Sequence, residues 1–179
     1  MGAFLLSLEC MSDTLSMNIG PTHTVVLYGR LNHISYRYLD NLPAAELVVR
    51  KLLAECTTLS TETNKSYFNI LWTLTSNLSK QGKHTEALLA GAQVLEYARE
   101  FGDYLDGVNA LRINAVANYR YGDLDVAETL QREAAQKVMA QGEPSSLTWG
   151  TMMLSALEQW FRDSNMIEKA DNLRVTIDR

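Results

Sequence analysis

The chain has 179 residues, 46% of them hydrophobic and 21% charged, and its formal net charge is −5. That apolar content is enough for an extended buried core and excludes a disordered tail, and the acidic balance excludes a generic basic glove for nucleic acid. Cys10 and Cys56 are the only cysteines and neither has a second Cys or His nearby, so neither a disulfide framework nor a zinc site is expected and reduced buried thiols are.

At the amino end, Phe4, Leu5 and Leu8 have helical spacing, and residues 1–21 are expected to hold a helix from a preceding, incomplete unit, broken off by Asn18 to Pro21. Ala3 to Leu6 is too short an apolar run for a membrane span, and no Lys or Arg precedes it as in a signal peptide. Leu6 stands where a myristoylation signal needs Ser or Thr. A cytoplasmic protein is expected, and the sequons at Asn64 and Asn77 are then chance matches.

From residue 22 onward only one proline lies between Pro21 and Pro144, and apolar residues recur at three and four. Leu27, Leu31, Ile34 and Tyr38 form one stripe, Leu71, Leu74 and Leu78 a second, and Leu154, Leu157 and Phe161 a third. No alternating run marks a strand, so the expected class is all-α.

The helices are expected in pairs. Asp40, Gly82, Gly122 and Asn165 each precede an alanine by five, and those alanines, Ala45, Ala87, Ala127 and Ala170, follow one another at 42, 40 and 43 residues. One helical hairpin per unit accounts for this spacing. The turn residue must tolerate a left-handed backbone, which Gly does freely and Asn or Asp at modest cost. The alanine falls one turn into the second helix, where a larger side chain would push the pair apart. Pro43 suits a first turn, and Asp125 with Glu128 suggests a capping box.

These residues resemble the tetratricopeptide repeat (TPR) family. The closest match is Leu71, Leu74, Leu78, Gly82 and Ala87; the next runs through Leu111, Ala115, Tyr121, Gly122 and Ala127. The spacing near 40, against 34 for the standard repeat, is similar to the longer repeats of kinesin light chains and of bacterial signal-transduction ATPases and transcription activators. Thr75 stands where the family prefers Gly or Ala, Asn114 where it prefers Leu, and His33 where it prefers a small residue. The resemblance implies a right-handed α-α superhelix of antiparallel pairs, about 22–60, 61–103, 104–143 and 144–179. Such a solenoid needs capped ends. The polar cap is missing after the last expected helix, Ile167 to Ile177, so the chain is expected to be a piece of a longer protein or a short array whose ends pack on something else.

The resemblance also implies that first helices line a concave face. They carry seven bases against two acids, Asp106 and Glu158, whereas the second helices carry seven bases against twelve acids. The expected groove is therefore basic on an acidic molecule. Aligning the units places Arg30, Trp72 and Arg112 in one groove-facing row, Arg37, Tyr119 and Arg162 seven residues later, and Asn69 with Asn109 in a third. An arginine fork suits carboxylates, an asparagine amide can bond an extended main chain, and the aromatic rings offer rigid apolar contact. Trp72 could equally fill space between units, and a tyrosine such as Tyr119 is more often core or inter-repeat filler.

No nucleophile–base constellation and no phosphate-cradling glycine motif occurs, so neither an enzyme nor a cofactor or metal protein is expected. Direct nucleic-acid binding and membrane insertion are not expected either. The expected function is a protein or peptide interaction module, the sensor or scaffold region of a regulatory or signalling protein, with an acidic or carboxylate-bearing segment in the groove. The alternative is a self-associating array that forms a homodimer.

Overall fold

The computed structural model describes residues 41–56 and 64–177. The expected N-terminal helix, the first helix with Arg30, His33 and Arg37, and Cys10 lie outside the described residues.

Among the described residues the chain forms seven helices and no strand: α1 (Leu42–Cys56), α2 (Asn64–Lys80), α3 (His84–Glu100), α4 (Tyr104–Tyr121), α5 (Leu124–Met139), α6 (Pro144–Asp163) and α7 (Ile167–Ile177). α2 with α3, α4 with α5 and α6 with α7 form hairpins, and α1 packs on α2. The three hairpin turns share one geometry. Gly82 (φ 75°), Gly122 (φ 100°) and Asn165 (φ 60°) are left-handed. Behind each, the next amide donates to a carbonyl five residues back: Lys83 to Leu78 at 3.0 Å, Asp123 to Asn118 at 3.0 Å and Met166 to Phe161 at 2.8 Å. That wide bond around a left-handed residue satisfies carbonyls which the helix end leaves bare. The repeated turn residue is thus set by backbone conformation, and the alanine five residues on by space: Ala45, Ala87, Ala127 and Ala170 are all fully buried.

The helix starts partly depart from expectation. Pro43 lies in the first turn of α1, where Asn41 Oδ1 accepts from the Ala44 amide at 3.2 Å. No capping box forms between Asp125 and Glu128. Asp123 caps α5, accepting from the Val126 amide, because the left-handed Gly122 delivers the chain to the helix two residues earlier than the pattern suggests. The reciprocal box lies at α4, where Asp103 and Asp106 each accept from the other's backbone amide.

The core is a chain of small clusters, each made by consecutive helices. Val49 and Leu52 of α1 meet Ile70, Leu74 and Leu78 of α2; Phe68 and Leu71 meet Val94 of α3 and Ile113 of α4; Val108 and Leu111 meet Val138 of α5 and Met153 of α6; Leu157 and Phe161 meet Leu173 of α7. Contacts made only with neighbours define a repeat solenoid, whose stability is close to a sum over units and junctions.

Among the described residues, polar side chains at core registers are compensated. Thr75 is fully buried, and its hydroxyl donates to the Leu71 carbonyl at 2.9 Å. Asn114, in the register of the core residues Leu74 and Leu157, donates to the carbonyls of Ala110 (2.9 Å) and, across the junction, Gly91 (2.8 Å). Glu158 is only 9% exposed and is clamped by Arg162 (2.8 Å) and Arg174 (3.6 Å).

The second helices are tied to one another by ions. Glu46 on α1 accepts from Arg50, from Gln81 and from Lys83 at 2.6 Å, and Arg50 reaches Glu86 on α3. Burial alone would raise the Glu46 carboxyl, but hydrogen bonds from Lys83, Arg50 and Gln81 outweigh it and hold the group at about 2. Glu128, one residue past the buried alanine of α5 as Glu46 is in α1, accepts from Arg132 at 2.9 Å and from Lys169 of α7 at 3.1 Å. Its pKa is likewise lowered, by Arg132 and Lys169 acting against burial. In α3 that register holds Leu88, so the junction between the two middle hairpins lacks this tie.

Candidate interaction surface

α2 and α4, the first helices of consecutive hairpins, touch directly, whereas α3 and α5 make no comparable contact. At this junction the two first helices lie together, and the residues they do not bury form one wall across α2 and α4. Both acids counted in the first helices are buried: Asp106 in the α4 capping box and Glu158 under its two arginines. Asp106 adds no charge to the surface, whereas Glu158 takes up the charge of Arg162 and Asp163 at the end of α6 is exposed, so the cationic part of the wall lies on α2 and α4.

Six of the expected site residues are described, and they fall into two groups. Asn69 and Trp72 on α2 and Asn109 and Arg112 on α4 occupy matching registers of adjacent helices. Their side chains make no hydrogen bond or ion pair with any described residue. Arg112 is half-buried, and no carboxylate pairs with it. Trp72 is also half-buried, packed beside Phe68 and Leu71, and its indole N–H has no acceptor. A half-buried cation and a shielded N–H donor without partners are costly to keep unless something else completes them.

The second group is engaged within the protein. Tyr119 stacks on Trp160 of α6, with ring centroids 4.7 Å apart and planes 9° from parallel, and its hydroxyl donates to Asp163 at 3.1 Å. Burial, with the Asp163 carboxylate next, pushes its phenol above the ordinary tyrosine range. Arg162 bonds Glu158 and, at 3.0 Å, Asp171 of α7. These two residues join the last hairpin to its neighbour and to itself. Arg30 and Arg37 lie outside the described residues.

Two features of the same wall lie outside the expected set. The last hairpin contributes apolar surface, Leu147 and Met152, with Met152 64% exposed. At the far end of α2 and α4, Arg120 donates to the Ser79 hydroxyl at 3.4 Å, beside Lys80. Lys80 and Arg120 each stand two residues before their turn glycine, so extending the register alignment by one position would have found this pair.

No helix among the described residues is long and apolar enough to cross a membrane. No family model matches the chain, and no curated protein does. Among solved structures, one similar chain is a crystal structure from Podosopora anserina of nearly identical, kinesin-light-chain-like TPR repeats, with a TM-score of 0.64 at 13% identity over 97% of this chain and 92% of that one. At that identity the likeness concerns architecture alone. Together with the seven helices, their shared turns and their chain of small cores, it gives this chain the all-α helical repeat fold of TPR-like proteins.

Proposed function

We propose that the α2–α4 wall is the concave groove of a protein-interaction scaffold and binds an extended, acidic or carboxylate-bearing segment of a partner. Arg112 carries this reading: a half-buried arginine with no anion paired to it among the described residues, in matching registers with the unengaged amides of Asn69 and Asn109 and with Trp72. An arginine fork gives two parallel hydrogen bonds to a carboxylate, the asparagines can hold the main chain, and Trp72 supplies a rigid edge. Buried first-helix acids leave nothing at this spot to compete for the guanidinium. The role fits a sensor or scaffold region of a regulatory or signalling protein in the cytoplasm, with no catalysis of its own.

Fluorescence anisotropy with a library of labelled acidic peptides, at low and high salt, tests the reading. Binding that weakens with salt and falls about tenfold or more in Arg112→Ala is the expected result. Peptide affinity indifferent to Arg112, or none together with a mass that rises with concentration in light scattering, would replace it with self-association.

A further inference from the structure

Consecutive units fill one and the same place differently. At the edge of the array where one hairpin leads into the next, each first helix starts between two second helices, and the register set by the turns puts Tyr67, Gly107 and Gly150 at this position of α2, α4 and α6. On α2, Tyr67 has its ring centroid 4.9 Å from that of Tyr97 of α3, and both rings pack with Leu53 of α1 against the cluster that holds Phe68 and Val94. On α6 the space is taken by Met139 of α5, whose Cγ would lie 2.2 Å from a Cβ on Gly150. On α4 the two tyrosines are replaced by Gly107 and Lys137, and a Cβ on Gly107 would meet nothing within 4 Å. What remains between α3, α4 and α5 is a cleft of about 300 Å³. The buried Ala98, Ala110 and Leu111 are part of its lining, and the exposed Arg99, Glu133 and Lys137 complete it. The Tyr104 hydroxyl donates to the Lys137 carbonyl, a strut from the start of α4 to the end of α5 that fixes the spacing of these walls.

We infer that this cleft is a binding site for a small aromatic monocarboxylate, with its ring where the preceding unit places tyrosine rings and its carboxylate at Arg99. The volume stands at the lower end of ligand pockets, and walls already held in place keep the cost of ordering on binding small. The charge of the occupant follows from the lining. Lys137 faces Glu133 on its own helix at 4.0 Å, and Asp103 accepts from the first turn of α4 in the capping box. The Arg99 side chain has no hydrogen bond or ion pair with any described residue. One guanidinium is thus left for one carboxylate, which its fork can hold through two parallel bonds. A dianion would bring surplus charge toward Glu133, and an amine would set a second cation beside Arg99. A free small molecule is favoured over a docked chain because three helices enclose the cleft, and it shares no residue with the groove set of Asn69, Trp72, Asn109 and Arg112.

The test titrates the full, isotope-labelled chain with phenylacetate, with its saturated counterpart cyclohexylacetate and with the cation phenethylamine, at constant pH and ionic strength. The amide resonances of Gly102 and Gly107, which both line the cleft, are followed by NMR. Saturable shifts with phenylacetate are expected, with weaker binding of cyclohexylacetate and little response to the amine. Affinity for phenylacetate should fall about tenfold in Arg99→Gln. Gly107→Tyr restores the ring that Tyr67 supplies in the preceding unit; read at Gly102, it should abolish binding while the melting temperature stays level or rises. Shifts without saturation, or binding kept in Gly107→Tyr, would overturn the site. A sharp loss of thermal stability in that variant would show that the space does not admit a ring and would overturn it equally. Affinity unchanged in Arg99→Gln, or as high for phenethylamine, would overturn the carboxylate, and equal affinity for cyclohexylacetate would overturn the aromatic ring. A blocked peptide carrying phenylalanine beside aspartate that shifts Gly107 when phenylacetate does not would replace the small molecule with a partner side chain. Arg112→Ala should leave this binding unchanged, so the groove and the cleft stand or fall separately.

Discussion

Asn114 and Gly91 are complementary: the asparagine amide donates to the Gly91 carbonyl at 2.8 Å, and a Cβ on residue 91 would lie 2.4 Å from Asn114 Oδ1. The glycine is there because its partner is an amide where the repeat has leucine. Gly91→Ala should therefore destabilise the chain by about 1–3 kcal/mol, the range for overpacking a fitted site. The double variant with Asn114→Ala should recover part of that loss, since the atoms that clash are gone. Urea denaturation of the two singles and the double measures the coupling; strict additivity would count against it.

Acid should weaken the molecule through Glu46. Its folded pKa of about 2 lies below the ordinary 4.5, so its contribution is complete above 4.5 and is lost as pH falls from there toward about 2. Glu128 is shifted in the same direction. Glu46→Gln should be less stable than wild type at neutral pH, and the two curves should converge in acid. A constant gap between them across that window in urea titrations would contradict the assignment.

Arg112 and Arg162 belong to one expected binding set, but the structure separates them. Arg112→Ala should leave the melting temperature nearly unchanged, because its side chain bonds nothing among the described residues. Arg162→Ala should lower it, because Glu158, 9% exposed, keeps only the longer contact to Arg174 and Asp171 loses its partner. Differential scanning calorimetry of the two variants decides, and equal losses would mean the division is wrong.

Tyr119 should ionise later than an ordinary tyrosine, because burial and the Asp163 carboxylate both oppose its phenolate. Asp163→Asn should bring that titration down. Ultraviolet difference titration against the Tyr119→Phe background identifies the signal, and an unchanged profile in Asp163→Asn would remove the carboxylate from the account.

The hairpins were legible because two physical demands recur at fixed distance: a left-handed residue at Gly82, Gly122 and Asn165, and a side chain small enough for close approach at the alanine five residues on. Glu158 was counted as a surface acid because sequence carries no information on what covers a position; only the arrival of Arg162 and Arg174 from two helices shows it to be interior. Arg162 itself shares its register with Tyr119, and period alone cannot say whether a charged side chain faces outward or turns back to a neighbour. The Asp123 cap was missed for a smaller reason, a helix start displaced by the geometry of the turn before it. Period alone cannot choose between packing and binding for Trp72, which packs against the cluster that holds Phe68 and Leu71 while its N–H has no acceptor.

The ionic ties of Glu46 to Lys83 and of Glu128 to Lys169 hold the outer junctions, while the middle one depends on packing and on the neutral clasp of Asn114. Salt screens the first kind of link and scarcely touches the second. Raising the ionic strength should thus loosen the described helices from α1 and from α7 inward, leaving α3 and α4 as the last pair to exchange their amide hydrogens.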